Sequence, residues 1–197
     1  LDVSKAAHAA GLYTLYVSNS FVSDEALELI APHIDVLCSD IKSLHDDFYR
    51  EICPTATVAQ VLHAIEKAHL LGLHVETRTN IIPGKNDQPD ELYRIACWVR
   101  DHLGEDAPRH VTKIWPAINL SDVPPTPTAS LEMAYRQGLR AALRNVYYYG
   151  DKGCDCAAEN QPLETFLGSG SEVIHQVKKC PASCCGEQGI LLKKYET

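Results

Sequence analysis

Two charged residues follow the second apolar run of the sequence at a spacing suited to ligand binding. Asp40 and Lys42 follow Ile34-Asp-Val-Leu-Cys38 after one serine, Ser39, and their i, i+2 spacing places both on one face if the chain stays extended. Such a pair can hold the ammonium and carboxylate of a zwitterionic ligand, or prepare the lysine as a Schiff-base nucleophile. A surface ion pair of small energetic value gives the same pattern, so all three interpretations stay open.

Three polar residues alternate along the next apolar segment: Glu76, Arg78 and Asn80. In a strand they share one face, although Ile81 and Ile82 follow directly. This pattern is typical of the polar interior of an incomplete or ligand-filled barrel, or of a solvated edge. Because the guanidinium of arginine matches a carboxylate, Arg78 is the candidate for binding an acidic group.

Two further strand ends carry polar residues. Ser18 and Asn19 follow the first strand, where they either hydrogen-bond a ligand or form a helix-capping turn. His110 begins the fourth strand and is therefore predicted to lie at the wrong end of its strand for a site.

Strands and helices alternate along the first 150 residues. The predicted strands are 12–17, 34–38, 73–82, 110–115 and 146–149, and the predicted helices are 1–10, 23–30, 46–53, 57–71, 89–103 and 130–144. This alternation favours a parallel sheet with right-handed crossovers. About five βα units are too few to close an eight-stranded barrel. The predicted fold is therefore α/β: an incomplete, partial TIM-type βα barrel, with an open parallel sheet and outer helices.

The character of the sequence changes after Gly150, so two domains are predicted, 1–150 and a small Cys-rich appendix at 151–197. The five cysteines of the appendix are Cys154, Cys156, Cys180, Cys184 and Cys185. They are candidate ligands of a zinc-like site of thiolates, candidate disulfide partners, or inert thiols. The other three cysteines, Cys38, Cys53 and Cys97, are predicted to be core thiols.

Composition narrows the class of protein. The 197 residues are 45% hydrophobic and 22% charged, which is typical of a soluble globular protein. A formal net charge of −8 argues against nucleic-acid binding. No apolar run is long enough to span a bilayer, and no signal peptide is recognisable, so a cytoplasmic location is expected. Because position 1 is Leu and not Met, the chain is expected to begin inside a larger domain.

The order of the motifs resembles a known family. The segments are Tyr16-Val-Ser-Asn-Ser-Phe21, Leu37-Cys-Ser-Asp-Ile-Lys42, and Glu76-Thr-Arg-Thr-Asn-Ile-Ile-Pro-Gly84 with Asn86-Asp87. Together they resemble radical S-adenosylmethionine (radical SAM) enzymes of the pyruvate formate-lyase-activating type. The later segments Ser121-Asp-Val-Pro-Pro-Thr-Pro127 and Cys180-Pro-Ala-Ser-Cys-Cys-Gly186 are similar to the subgroup found in AmmeMemoRadiSam systems.

The resemblance covers residues 1–150 and implies the C-terminal half of such an enzyme. It implies that Asp40, Lys42 and Arg78 meet S-adenosylmethionine, and that Ser18 and Asn19 lie beside its adenosyl moiety. It also implies that the complete protein uses an electron from a [4Fe–4S] cluster to cleave the sulfonium, and that the resulting 5′-deoxyadenosyl radical abstracts hydrogen from an unknown substrate.

The sequence departs from the family pattern at three places. The C-x-x-x-C-x-x-C loop that binds the cluster is absent, Ser20 stands in place of glycine, and Trp115 stands where the subgroup often has histidine. In the family the cluster loop lies upstream, so this chain is expected to be inactive alone and to need the missing N-terminal half or a protein partner. Two alternatives are a barrel-type Schiff-base lyase with Lys42 as nucleophile, and a non-catalytic interaction module whose cysteine tail binds zinc.

Overall fold

Five parallel strands form the centre of the part of the chain that this computed structural model describes, residues 1–148. The strands are β1 (Leu15–Ser18), β2 (Val36–Asp40), β3 (His74–Ile81), β4 (Arg109–Lys113) and β5 (Val146–Tyr148). Their spatial order is the order of the chain, and each pair of neighbours is parallel. Over these residues the sheet is open, so the predicted partial barrel is confirmed.

Helices connect the strands and cover one face of the sheet. They are α1 (Asp2–Ala9), α2 (Asp24–Ile30), α3 (Asp46–Ile52), α4 (Val58–Leu70), α5 (Pro89–Leu103) and α6 (Thr128–Arg140). Local signals in the sequence explain several boundaries. Ser23 caps α2 by accepting a hydrogen bond from the backbone of Ala26, and Thr57 forms a capping box with Gln60 at the start of α4. None of the described helices is long and apolar enough to cross a membrane.

The apolar core lies between this helical layer and the sheet. Its largest cluster joins both layers and includes Leu37, Ile65, Val75, Ile95 and Val99. Because side chains alternate along a strand, the residues between these positions face the other side of the sheet, which is polar. We call this side the inner face; it carries Cys38, Asp40, Glu76, Arg78 and His110.

The first strand begins three residues later than predicted, at Leu15 rather than Leu12. Backbone and side-chain hydrogen bonds both hold Thr14, just before the strand: its carbonyl oxygen accepts from the N–H groups of Asp35 and Val36. The Asp35 carboxylate accepts a hydrogen bond of 2.7 Å from the backbone N–H of Thr14 and lies 2.9 Å from His8 Nε2. The last helix ends at Arg140, not at 144 as predicted, because Ala142 turns the chain with a φ of +65°. The appendix 151–197 and its five cysteines lie outside the described residues.

Candidate functional site

One row of residues crosses four strands on the inner face. In the strand register, Asp40 of β2 lies beside Arg78 of β3, Arg78 lies beside His110 of β4, and His110 lies beside Tyr147 of β5. Adjacent strands are about 4.8 Å apart, so the four side chains form one continuous polar layer. Asp40 ends β2, so this layer lies at the carboxyl edge of that strand, where parallel α/β proteins bind ligands.

Asp40 is shared by two cations. Its Oδ1 accepts a hydrogen bond of 2.7 Å from Arg78 Nε, and its Oδ2 accepts one from Lys42 Nζ. The Asp40 side chain is 9% exposed, whereas Lys42 and Arg78 are 17% and 30% exposed. The hydrogen bond to Asp40 raises the pKa of the Arg78 guanidinium. The structure therefore brings the three predicted charges together, and their role in ligand binding stays a prediction.

The Arg78 guanidinium can still bind a ligand. Only its Nε is engaged by Asp40, and no other hydrogen bond of this side chain occurs within residues 1–148. Two terminal nitrogens thus present the fork that matches a carboxylate. With Lys42 beside it, the arrangement can hold a carboxylate on the cations and an ammonium on Asp40.

Asn86 fixes the backbone that carries these charges. Its Nδ2 donates to the carbonyl oxygens of Lys42, at 2.7 Å, and Asn80, at 2.9 Å. Its Oδ1 accepts a hydrogen bond of 2.7 Å from the N–H of Ile82. The residue is fully buried, and it ties the end of β2 to the end of β3. The Pro-Gly-x-Asn-Asp motif contained Asn86, but sequence analysis gave it no role.

The β1–α2 turn holds Ser18 and Asn19, the other predicted binding residues. Ser18 Oγ accepts a hydrogen bond of 3.0 Å from the N–H of Ser20, and Asn19 Oδ1 accepts one of 3.1 Å from Phe21. Both side chains therefore shape the turn itself. Ser20 has a φ of +58°, a conformation that favours glycine. It is held there by a buried hydrogen bond of 2.5 Å to Ser39 Oγ.

Below the row, Glu76 lies between two histidines. Its Oε2 accepts a hydrogen bond of 3.0 Å from His110 Nε2, and its Oε1 lies 3.4 Å from His74 Nε2. Burial alone would raise the pKa of Glu76, but the two histidines outweigh it and lower the pKa to about 2. His110 also stacks on the ring of Tyr147, with the ring centres 5.3 Å apart.

His110 lies near the beginning of its strand, as predicted, and whether it belongs to the site stays a prediction. His110 is the second residue of β4, but the register places it directly beside Arg78. The strands are staggered, since Arg78 is the fifth residue of β3. Trp115, in contrast, lies beyond β4 with its side chain 66% exposed, and Lys113 Nζ lies 4.7 Å from the ring centre.

The described residues hold no metal-binding group. Within residues 1–148, no three His, Cys, Asp or Glu side chains are placed to bind one ion. The cysteines in this range, Cys38, Cys53 and Cys97, are free thiols. Burial, followed by the charge of Glu76, raises the pKa of the Cys38 thiol to about 11. An iron–sulfur cluster therefore does not fit the donors of residues 1–148.

Comparison with known proteins agrees with the fold and the motifs. Residues 2–96, slightly less than half of the chain, match the family model described as the radical SAM superfamily. An uncharacterized protein of Methanocaldococcus jannaschii is 36% identical over 146 residues, which are 74% of this chain and 43% of that protein. The chain thus spans less than half the length of this curated relative.

Solved structures share the architecture at low sequence identity. A domain of pyruvate-formate lyase-activating enzyme from Bacteroides vulgatus superimposes with a TM-score of 0.63 at 13% identity, over 76% of this chain and 88% of that one. A radical SAM methyltransferase from Sphaerobacter thermophilus gives 0.59 at 13% identity, over 76% and 44%. SuiB from Streptococcus suis gives 0.60 at 10% identity, over 84% and 41%. These likenesses show the fold.

Proposed function

We propose that this chain is the S-adenosylmethionine-binding, C-terminal part of a radical SAM enzyme. The observation that carries the proposal is the Asp40 carboxylate held between Lys42 and Arg78 on the inner face. It coincides with a superfamily match that includes all three residues. The motif at residues 121–127 supports the finer assignment to the AmmeMemoRadiSam-type subgroup, and we place the enzyme in the cytoplasm.

The chemistry of the three charges fits the amino-acid end of S-adenosylmethionine. The terminal nitrogens of Arg78 and the ammonium of Lys42 would hold its carboxylate, and Asp40 would accept hydrogen bonds from its ammonium. Ser18 and Asn19, on the β1–α2 turn, would lie beside the adenosyl moiety. When bound, S-adenosylmethionine supplies a sulfonium whose reductive cleavage starts hydrogen abstraction from the substrate.

The [4Fe–4S] cluster must come from residues outside this sequence. None of the eight cysteines has the C-x-x-x-C-x-x-C spacing. We therefore propose that an additional segment or a partner chain supplies the cluster, and that this chain alone does not cleave S-adenosylmethionine. The part played here is to bind and orient the cofactor and to shield it from water.

Isothermal titration calorimetry with S-adenosylmethionine tests the assignment. The chain is titrated alone and beside a chain extended upstream of Leu1. We expect weak or no binding by the short chain and measurable binding by the extended chain. In the extended chain, Arg78→Ala and Asp40→Ala should each weaken binding by about tenfold or more, since each removes one partner of a hydrogen-bonded charge pair.

Arg50→Ala is the matched control. The Arg50 side chain is 71% exposed and pairs with Asp47 on α3, so its removal should leave the affinity unchanged. If Arg78→Ala and Asp40→Ala bind S-adenosylmethionine as tightly as the wild-type extended chain does, the assignment of this site is refuted. Cleavage of S-adenosylmethionine by the short chain under reducing conditions would refute its dependence on an external cluster.

A further inference from the structure

His110 and Tyr147 are the two members of the inner-face row that the cofactor assignment leaves without a task. His110 lies directly beside Arg78 in the register, on the side away from Asp40. Its side chain is 12% exposed, and its ring is held on two sides. Glu76 accepts the hydrogen bond from Nε2 at 3.0 Å, and Tyr147 stacks on the ring at an interplanar angle of 24°. Such an imidazole is fixed in position and in tautomer.

The hydrogen bond to Glu76 decides which ring nitrogen carries the proton. An ionised carboxylate only accepts hydrogen bonds, so Nε2 must be the protonated nitrogen. In the neutral ring Nδ1 then keeps its lone pair and can accept a proton or a hydrogen bond. Within the described residues, Nδ1 has no hydrogen-bond partner and is not among the fully buried polar atoms. It is therefore an accessible acceptor.

We propose that His110 is the proton acceptor for the substrate of this site, and that Glu76 is the positioning residue that presents Nδ1. The inference rests on the proposed function, because it assigns the Asp40 side of the row to the cofactor and the His110 side to the substrate. The substrate it fits carries a polar N–H or O–H group. The proton moves from that group to Nδ1, the bonding pair stays on the substrate atom, and Glu76 balances the imidazolium charge.

The groups that face His110 favour this role. Arg78 stands on one side of it in the row and Tyr147 on the other, while Glu76 lies below, with His74 on its far oxygen. A carboxylate behind an imidazole fixes the tautomer and the orientation of the ring. The positive charge of Arg78 stabilises an anion left on the substrate. Cys38 lies beside Glu76 in the register of β2 and β3, and its thiol stays neutral.

Nuclear magnetic resonance of the full 197-residue chain, labelled with ¹⁵N in the histidine rings, tests the tautomer. Comparison with His110→Gln assigns the signals. We expect Nε2 to carry the proton and Nδ1 to be unprotonated in the neutral ring of His110. Glu76→Gln should shift both nitrogen signals toward an average of the two tautomers, because an amide both donates and accepts. A purely structural role for Glu76 would leave these shifts unchanged in a folded variant, and that result, or a protonated Nδ1 in the wild type, overturns the proposal.

Reaction with diethyl pyrocarbonate, followed by peptide mass spectrometry, tests access to Nδ1. This reagent acylates unprotonated imidazole nitrogens, and exposed His69 is the reference within the same molecule. We expect His110 to be acylated in the wild type and its rate to fall in Glu76→Gln relative to His69. Acylation of His69 without His110 overturns the proposal. Neither measurement needs bound S-adenosylmethionine. A calorimetric result that refutes the cofactor assignment would therefore be distinguishable from a failure of the His110 proposal.

Discussion

Arg109 tests how much a buried charge between the sheet and the helical layer destabilises the fold. Its side chain is completely buried at the start of β4. Nη1 donates a hydrogen bond of 3.0 Å to the carbonyl oxygen of Leu92 on α5, while Nε and Nη2 have no hydrogen-bond partner among residues 1–148. No carboxylate pairs with this arginine in the described part of the chain. Replacing it by methionine removes a buried charge and keeps an unbranched side chain of similar length.

The size of the effect follows from burial. Desolvation lowers the pKa of Arg109 from its ordinary value to about 10, which corresponds to about 3 kcal/mol against the charged form at neutral pH. Losing the hydrogen bond to Leu92 costs about 1 kcal/mol. Arg109→Met should therefore raise the free energy of unfolding by about 2 kcal/mol. Because the folded pKa lies below the unfolded one, this gain is constant below about pH 10 and shrinks as the pH rises above that value.

Urea denaturation at pH 7, followed by circular dichroism, measures the change. Arg109→Lys keeps a buried cation and should show no gain. Arg50→Met, at an exposed position, should stay within about 0.5 kcal/mol of the wild type. A loss of more than about 1 kcal/mol in Arg109→Met would show that the buried guanidinium has a stabilising partner, and would refute the desolvation argument.

Three further outcomes are expected. Glu76 has a pKa of about 2 in the folded chain against an ordinary 4.5. The free energy of unfolding of the wild type should therefore fall by up to about 3 kcal/mol as the pH falls from 4.5 toward 2. Urea titrations at pH 5 and pH 3 measure this contribution, and Glu76→Gln should show no such loss. Asn86→Asp places a carboxylate against two carbonyl oxygens and should lower the free energy of unfolding by about 2 kcal/mol. An unchanged urea midpoint would contradict the role of Asn86 in tying the end of β2 to the end of β3. Gly138→Ala puts a Cβ 2.9 Å from both γ carbons of Val146 and should lower the free energy of unfolding, measured by calorimetry, by about 1–3 kcal/mol. The double variant with Val146→Ala should recover most of this loss. A melting temperature of Gly138→Ala equal to that of the wild type would show that Val146 moves away at no cost.

The elements with strong local signals could be predicted from sequence. The prediction for α5, residues 89–103, matches the structure, since Pro89 begins the helix, its apolar residues recur at helical spacing and Gly104 ends it. The alternation of Glu76 and Arg78 along β3 likewise predicted that one face of this strand is polar. Short strands were less certain, because β1 has four residues and its start depends on the distant side chain of Asp35.

The position of His110 beside Arg78 could not be predicted, because it depends on strand register. Register is set by contacts between segments far apart in the chain: the N–H of Thr77 donates to the carbonyl oxygen of Pro108 at 2.8 Å, and Arg109 therefore lies beside Thr77. A single sequence shows where a strand begins but not how far it is shifted against its neighbour. Asn86 was missed for a similar reason, since its three partners lie on the ends of two strands.

β3 joins the two halves of the candidate site. It contributes Arg78, which reaches toward β2 to hold Asp40, and two residues earlier Glu76, which reaches toward β4 to hold His110. The two pairs diverge from one strand on one face, so the charges that suit an amino acid and the imidazole that suits a proton donor lie side by side without competing for a partner. Adjacent strands are about 4.8 Å apart, and the Asp40 and His110 positions are two strands apart. That separation leaves room for one ligand group on each side of Arg78.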